Sequence, residues 1–238
     1  MTPVVAAWAV HLYTAVGAVV GFFALVASAV GNFRLAFAWL AVATFIDATD
    51  GSLARWARVK EVLPRFDGAK LDDIVDYLNY VVVPIVLAAQ AGLLPQGAAG
   101  LAVGAAPLLA SGYGFCHTEA KTADHFFTGF PSYWNIVVFY CFVLATPIWM
   151  NTLLLLVLAA MVFVPIRYLY PSRNPTAQRT THVLGVLWAL CIAVLLLQIP
   201  RPSRVLACLS LYFPFYYLAV SLHVHFRDRH AAGRGAVH

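Results

Sequence analysis

Asp47 and Asp50 lie three residues apart, and Asp72 and Asp76 four apart, in a stretch otherwise rich in apolar residues. If both segments are helical, each spacing puts its two carboxylates on one helix face. Two consecutive antiparallel helices would then turn the pairs toward each other at a similar depth. Carboxylate oxygens are hard ligands, and no Cys or His joins the group, so the donor set suits one or two Mg²⁺ or Mn²⁺ ions better than zinc. Gly51 and Ala54 leave out bulk beside Asp50 where a ligand would approach the backbone. Arg55 adds a planar donor fork suited to phosphate oxygens. Together these groups describe a metal-bound diphosphate site, in which cations bridge phosphate oxygens and stabilise a leaving phosphate.

A simpler account is ion pairing at helix ends, with Asp47 or Asp76 meeting Arg55 or Arg65. For any one residue the two accounts are equally good. For the set they are not, because ion pairs require neither the small residues nor the two helical spacings. Seven of the ten acidic residues fall between Asp47 and Asp76. An ionised carboxylate costs roughly 2.5–3.5 kcal/mol at a bilayer centre, so such a concentration calls for a polar cavity and compensating cations.

The elements that hold these residues are membrane helices. The chain has 238 residues, of which 62% are hydrophobic and 11% charged, with a mean hydropathy of +0.81. Too little polar surface remains to coat a soluble globule. The apolar segments predict an all-α integral membrane protein of about eight transmembrane helices in one bundle. The spans are placed near 5–30, 33–56, 70–92, 97–117, 131–148, 150–169, 179–199 and 203–225. The first span lacks the basic run and small-residue cleavage site of a signal peptide and is read as a retained helix. Placing both termini in the cytoplasm assigns twelve of fifteen Lys and Arg to that side, leaving Arg34, Arg201 and Arg204 outside. The net charge of +5 then reflects topology and anionic headgroups of the lipid bilayer, and no nucleic acid is implied.

No repeat or long polar segment divides the chain, so residues 1–225 are expected to form a single domain and 226–238 a basic, flexible tail. Pro64 is expected to stop the second helix before Gly68. The pairs Gly17/Gly21 and Gly100/Gly104 suit close helix packing. Cys116, Cys141, Cys191 and Cys208 are too dispersed for a disulfide framework or thiolate site and are read as packing residues.

Written as D-x2-D-G-x2-A-R-x12-G-x3-D-x3-D, residues 47–76 resemble the signature of the CDP-alcohol phosphotransferases, membrane enzymes that make phospholipids. The twelve residues between Arg55 and Gly68 exceed the commoner family spacing and are similar to the bacterial branch that makes phosphatidylcholine. The segments HLYTAVGAVVGF from His11, VKEVLPRFDGAKLDDIVDYLNYVVVP from Val59 and KTADHFFTGFPSYWN from Lys121 support the same branch. The resemblance implies transfer of the phosphatidyl group of CDP-diacylglycerol to choline, giving phosphatidylcholine and CMP, with Mn²⁺ or Mg²⁺ required and two ions expected. It implies a bacterial inner-membrane protein with its site at the cytoplasmic side, and family members are often homodimers. By the same resemblance Asp47, Asp50, Asp72 and Asp76 are metal ligands. Gly51, Ala54, Arg55, Gly68 and Thr14 line the nucleotide pocket, and Asp76 also takes the choline hydroxyl proton. Spacing alone does not choose Asp76 over Asp72 for that task. His11 and Thr14 are equally well read as partners in helix-to-helix hydrogen bonds.

A quaternary ammonium has no donor to offer, so aromatic faces and carboxylates must recognise it. Tyr13, Tyr77 and Tyr80 are candidates, as are Tyr133 and Trp134, each also explicable as packing or an interfacial belt. Glu119 and Asp124 are candidates for added negative charge above the site. His117 and His125 make a weak metal signal, His223 and His225 read as interfacial, and Asp67 and Asp73 as solvated or paired with Lys70 or Arg65. Two rivals remain. The same chemistry with serine, inositol or glycerol phosphate as acceptor lacks a basic cluster for an acceptor phosphate. A cation transporter lacks inverted Gly/Pro-broken spans.

Overall fold

The structure is a computed structural model that describes residues 2–117, 126–169 and 178–235. Glu119, Lys121, Asp124, His125 and Arg173 lie outside the described residues. Helices α1 (Pro3–Ala29) and α2 (Phe33–Trp56) form an antiparallel pair joined at Gly31, whose φ of +74° suits the sharp reversal. Thr2 caps α1 by accepting from the Val5 amide, and Asn32 caps α2 by accepting from that of Leu35. The short α3 (Val59–Val62) follows. Helix α2 therefore ends at Trp56, earlier than Pro64 alone would require, because Arg58 turns into the left-handed region at φ 48°.

Asp67 caps the next helix, accepting from the Lys70 amide at 3.0 Å. It thus meets Lys70 at the backbone amide, as a helix cap and not as the charge pair read from sequence. Helix α4 (Gly68–Asp76), a π turn over Tyr77–Val82 and α5 (Val83–Gln90) run on without a break. An α-helix advances about 100° per residue, so across the eight residues from Asp72 Tyr80 would drift by about 80° from its face. The wider π turn draws Tyr80 back toward it, a common use of such turns at functional sites.

After α6 (Gly97–Cys116) come β1 (Phe126–Thr128), α7 (Trp134–Val143), α8 (Ile148–Met161) and β2 (Arg167–Leu169). The two strands pair antiparallel, Phe127 opposite Tyr168, a small sheet that the apolar pattern did not foretell. Helices α9 (Gln178–Gln198), α10 (Arg204–Ser210) and α11 (Tyr212–Gly235) complete the chain. The described residues bear out an all-α membrane protein. Four helices within Pro3–Ala29, Gly97–Cys116, Arg179–Gln198 and Arg204–Arg227 are long and apolar enough to cross a bilayer.

The fifth and sixth expected spans are shorter than the sequence suggests. Helix α7 has 10 residues and α8 has 14, about 15 and 21 Å against a hydrocarbon layer of about 30 Å. Pro131 and Pro147 stand just before their starts, and Ser132 and Ala145 take positive φ. Helix α11 carries backbone helicity to Gly235, past the tail boundary expected at residue 226, since Phe226–Ala232 contains no Gly or Pro.

The core gathers Phe37, Val81, Leu87, Trp134, Phe139 and their neighbours between α2, α5 and α7. Phe37 meets Phe139 edge on at 5.2 Å. Gly17 and Gly21 let α1 lie against the helix carrying the second acidic pair: a Cβ on Gly17 would stand 2.7 Å from Val75 Cγ1, and one on Gly21 2.2 Å from Asn79 Oδ1. Asn79 locks that contact by donating to the Gly17 carbonyl at 3.0 Å. Gly21→Ala is expected to lower stability by about 1–3 kcal/mol, the usual cost of overpacking. Thermal unfolding in detergent checks this, and an unchanged midpoint would refute the close approach.

Candidate functional site

Three carboxylates meet where α2 faces α4. One oxygen each from Asp47, Asp50 and Asp72 lies within 4.8 Å of the others. Helical spacing puts Asp47 and Asp50 on one side of α2, and the α1/α4 packing through Gly17 brings Asp72 across to them. Asp50 is buried at 6% exposure, so its charge depends on local partners. One is Thr14 of α1, whose hydroxyl donates to Asp50 Oδ2 at 2.8 Å. Asp47 receives a 2.6 Å hydrogen bond from the Tyr80 hydroxyl. Each donor fixes one carboxylate oxygen.

The donor set fits a hard divalent cation. Three acidic oxygens converge with a spread that one ion can bridge, and no thiolate or imidazole takes part. Asp76, one turn beyond Asp72, is outside this trio. It lines the adjoining cavity of about 370 Å³ together with Asp47, Asp72, Asp73 and Tyr80. The rest of the lining comes from Phe115 and His117 at the end of α6 and from Thr128, the last residue of β1, to Tyr133.

The other sequence-derived candidates divide. Gly51, Ala54 and Arg55 follow Asp50 on the last turns of α2, with Arg55 exposed and donating to Ser52 Oγ at 2.9 Å. A Cβ on Gly51 would lie 3.4 Å from the Arg55 guanidinium, in ordinary van der Waals contact. Gly68 opens α4 against His11, where a Cβ would approach His11 Cε1 to 2.5 Å. The buried His11 ring packs against Phe66 at 4.5 Å and Trp8 at 5.9 Å. Positions 11 and 68 therefore form one unit, the His11 ring occupying the space a side chain at 68 would need, which spacing alone conceals.

Among the aromatics, Tyr80 and Tyr133 line the cavity. Tyr13 instead bonds Thr49 at 2.8 Å, Tyr77 donates to the Leu108 carbonyl at 2.9 Å, and Trp134 is fully buried and donates to Ser111 at 2.7 Å. Asp73, read from sequence as solvated or paired, lines the cavity too. Nothing in the spacing of Phe115 and Phe130 links them to the aspartates; the end of α6 brings the first to the cavity and the path of the chain after β1 the second.

No family model matches the chain. Curated relatives do. It is 41% identical over 225 residues to a phosphatidylcholine synthase of Legionella pneumophila, covering 92% of this chain and 88% of that protein. A phosphatidylcholine synthase of Pseudomonas aeruginosa is 35% identical, with 93% and 94% covered. One from Borreliella burgdorferi is 31% identical, with 94% and 96% covered.

Proposed function

The chain belongs to the phosphatidylcholine synthase family, and from that premise we propose that it transfers the phosphatidyl group of CDP-diacylglycerol to choline, releasing CMP. The observation that carries this is the convergence of Asp47, Asp50 and Asp72 beside a cavity that also holds Asp76. Those three residues would hold Mn²⁺ or Mg²⁺. A bound divalent ion supplies charge neutralisation for the diphosphate and for the leaving phosphate.

The chain's own groups do the rest. Thr14 and Tyr80 orient Asp50 and Asp47. Arg55, at the open end of α2, binds a phosphate oxygen pair of the nucleotide; Gly51 and Ala54 keep that turn of α2 free of bulk, while Gly68 gives its space to the His11 ring. Asp76 accepts the choline hydroxyl proton as the choline oxygen forms a bond to the phosphorus bearing diacylglycerol. The bond from that phosphorus to the bridging oxygen breaks, and its electron pair leaves with CMP. Asp72 is committed to the cation trio, whereas Asp76 faces the cavity from outside it, which supports Asp76 as the base. The site opens to the cytoplasmic side of the bacterial inner membrane, where choline and CMP are soluble.

Purified protein in liposomes containing CDP-diacylglycerol is expected to release CMP only when choline and Mn²⁺ or Mg²⁺ are both added, and to stop on chelation. Folded protein that releases no CMP under these conditions would overturn the proposal. A preference for serine, inositol or glycerol phosphate would overturn the choice of acceptor.

Two variants test the supporting groups. Thr14→Val removes the donor to Asp50 and is expected to weaken Mn²⁺ affinity by about 10–100-fold, as loss of a ligand's outer partner does. Titration followed by Mn²⁺ electron paramagnetic resonance reads it, and unchanged affinity would separate Thr14 from the metal. Arg55→Lys is expected to raise KM for CDP-diacylglycerol, because a single ammonium does not reproduce the fork. An unaltered KM would remove Arg55 from the nucleotide.

A further inference from the structure

We propose that the cavity beside the aspartates is the acceptor pocket, and that Tyr133, Phe130, Phe115 and Tyr80 with Asp73 form its cage for a quaternary ammonium. This rests on the reading of the protein as a choline-using phosphatidyltransferase and names the part of the site that selects the alcohol.

Charge comes first. Of the described residues lining the cavity, four are aspartates and none is Lys or Arg. A phosphate- or carboxylate-bearing alcohol would enter against that charge, whereas a cationic alcohol enters with it. Asp73 and Asp76 line this wall outside the converging trio of Asp47, Asp50 and Asp72.

Shape and surface come next. Tyr80 and Tyr133 meet with ring centroids 6.1 Å apart and planes inclined at 59°, forming a corner rather than a stack. Phe115 at the end of α6 and Phe130 add further rings to the lining. Such walls suit a trimethylammonium, whose attraction to ring faces needs no hydrogen bond. A primary ammonium, by contrast, gains nothing from ring faces for its three N–H donors and would depend on the carboxylates alone.

The wall is also held in place. Gly129 takes φ +83° where a Cβ would lie 2.1 Å from the Val162 carbonyl oxygen, so this stretch lies against the end of α8. The amides of Gly129 and Phe130 donate to Ile166 and Met161. Ser132 and Trp134 both donate to Ser111 on α6, at 2.9 and 2.7 Å. Tyr133 is backed by Tyr217 of α11 at 6.2 Å, edge to face. A rigid aromatic wall binds without an ordering cost. Tyr80 ties the cage to the chemistry, since its hydroxyl donates to Asp47. Asp76 lines the same cavity as this corner, so one acceptor can touch both.

The test compares wild type with Tyr133→Ala, Phe130→Ala, Asp73→Asn and the conservative Tyr133→Phe, each checked for monodispersity in detergent. Initial rates are measured against choline, N,N-dimethylethanolamine and ethanolamine, and binding of radiolabelled choline is measured separately. Tyr133→Ala and Phe130→Ala are each expected to raise the choline KM by about tenfold, the scale of a desolvated cation–π contact, while KM for CDP-diacylglycerol stays put. Their preference for choline over ethanolamine should narrow, and Tyr133→Phe, which keeps the ring face, should behave as wild type. If Tyr133→Ala does not fold, Phe130→Ala and Asp73→Asn carry the same comparison. Variants that lower kcat alone, or that raise KM for CDP-diacylglycerol and leave choline binding intact, would overturn the cage. A wild-type protein that makes no phosphatidylcholine would instead overturn the underlying function, so the two failures are separable.

Discussion

Replacing Asp50 by Ala is expected to reduce choline-dependent CMP release by about a thousandfold, corresponding to several kcal/mol of transition-state stabilisation supplied through a bound cation. Asp50 is the buried member of the trio and lies within 4.8 Å of both Asp47 and Asp72 through its carboxylate. The Ala variant also leaves the Thr14 hydroxyl without its acceptor, whereas Asp50→Asn keeps the hydrogen bond and removes only the charge. Both variants should lose Mn²⁺ affinity, and Asn should fold as wild type does. Normal Mn²⁺ binding with activity within about tenfold of wild type would show that the trio holds no catalytic ion.

Asp76→Asn is expected to act differently. It should cut turnover by about 10²–10⁴, the usual contribution of a positioned base, while Mn²⁺ affinity and nucleotide binding change little. The reason is position: Asp76 lies outside the trio but on the cavity wall, near the place assigned to the acceptor hydroxyl. Binding of a non-reactive cytidine diphosphate lipid analogue, measured beside the rate, separates the two roles. A variant with full turnover would remove Asp76 as base, and one that lost the metal along with the rate would make it a fourth ligand instead. Asp72→Asn is the companion measurement, expected to lose metal and rate together.

The division between these aspartates shows how far the amino-acid pattern reaches. Asp47 with Asp50, and Asp72 with Asp76, are recognisable as pairs because helical periodicity is local and ionised groups in an apolar chain are costly. Membrane character follows from composition in the same way, since 62% hydrophobic residues leave few ways to coat a soluble surface. The shortening of α7 and α8 was less legible. Pro131 and Pro147 are visible in the sequence, but the left-handed turns at Ser132 and Ala145 depend on what the loops pack against.

The residues themselves determined the acidic constellation, the small positions around it and the helical, membrane-borne character of the chain, all of which depend on neighbours within a turn or two. Tertiary structure alone decided which three aspartates converge, that Thr14 and Tyr80 orient two of them, and that Tyr133, Phe130 and Asp73 share a cavity with Asp76 while Tyr13 and Tyr77 turn to Thr49 and Leu108. Those pairings join residues tens of positions apart. They are set by how closely α1 approaches α4 at Gly17 and Gly21, by the π turn at Tyr77–Val82 and by the path after β1; the spaced glycines are visible in the chain but not the helix they meet, and the other two leave no periodic trace.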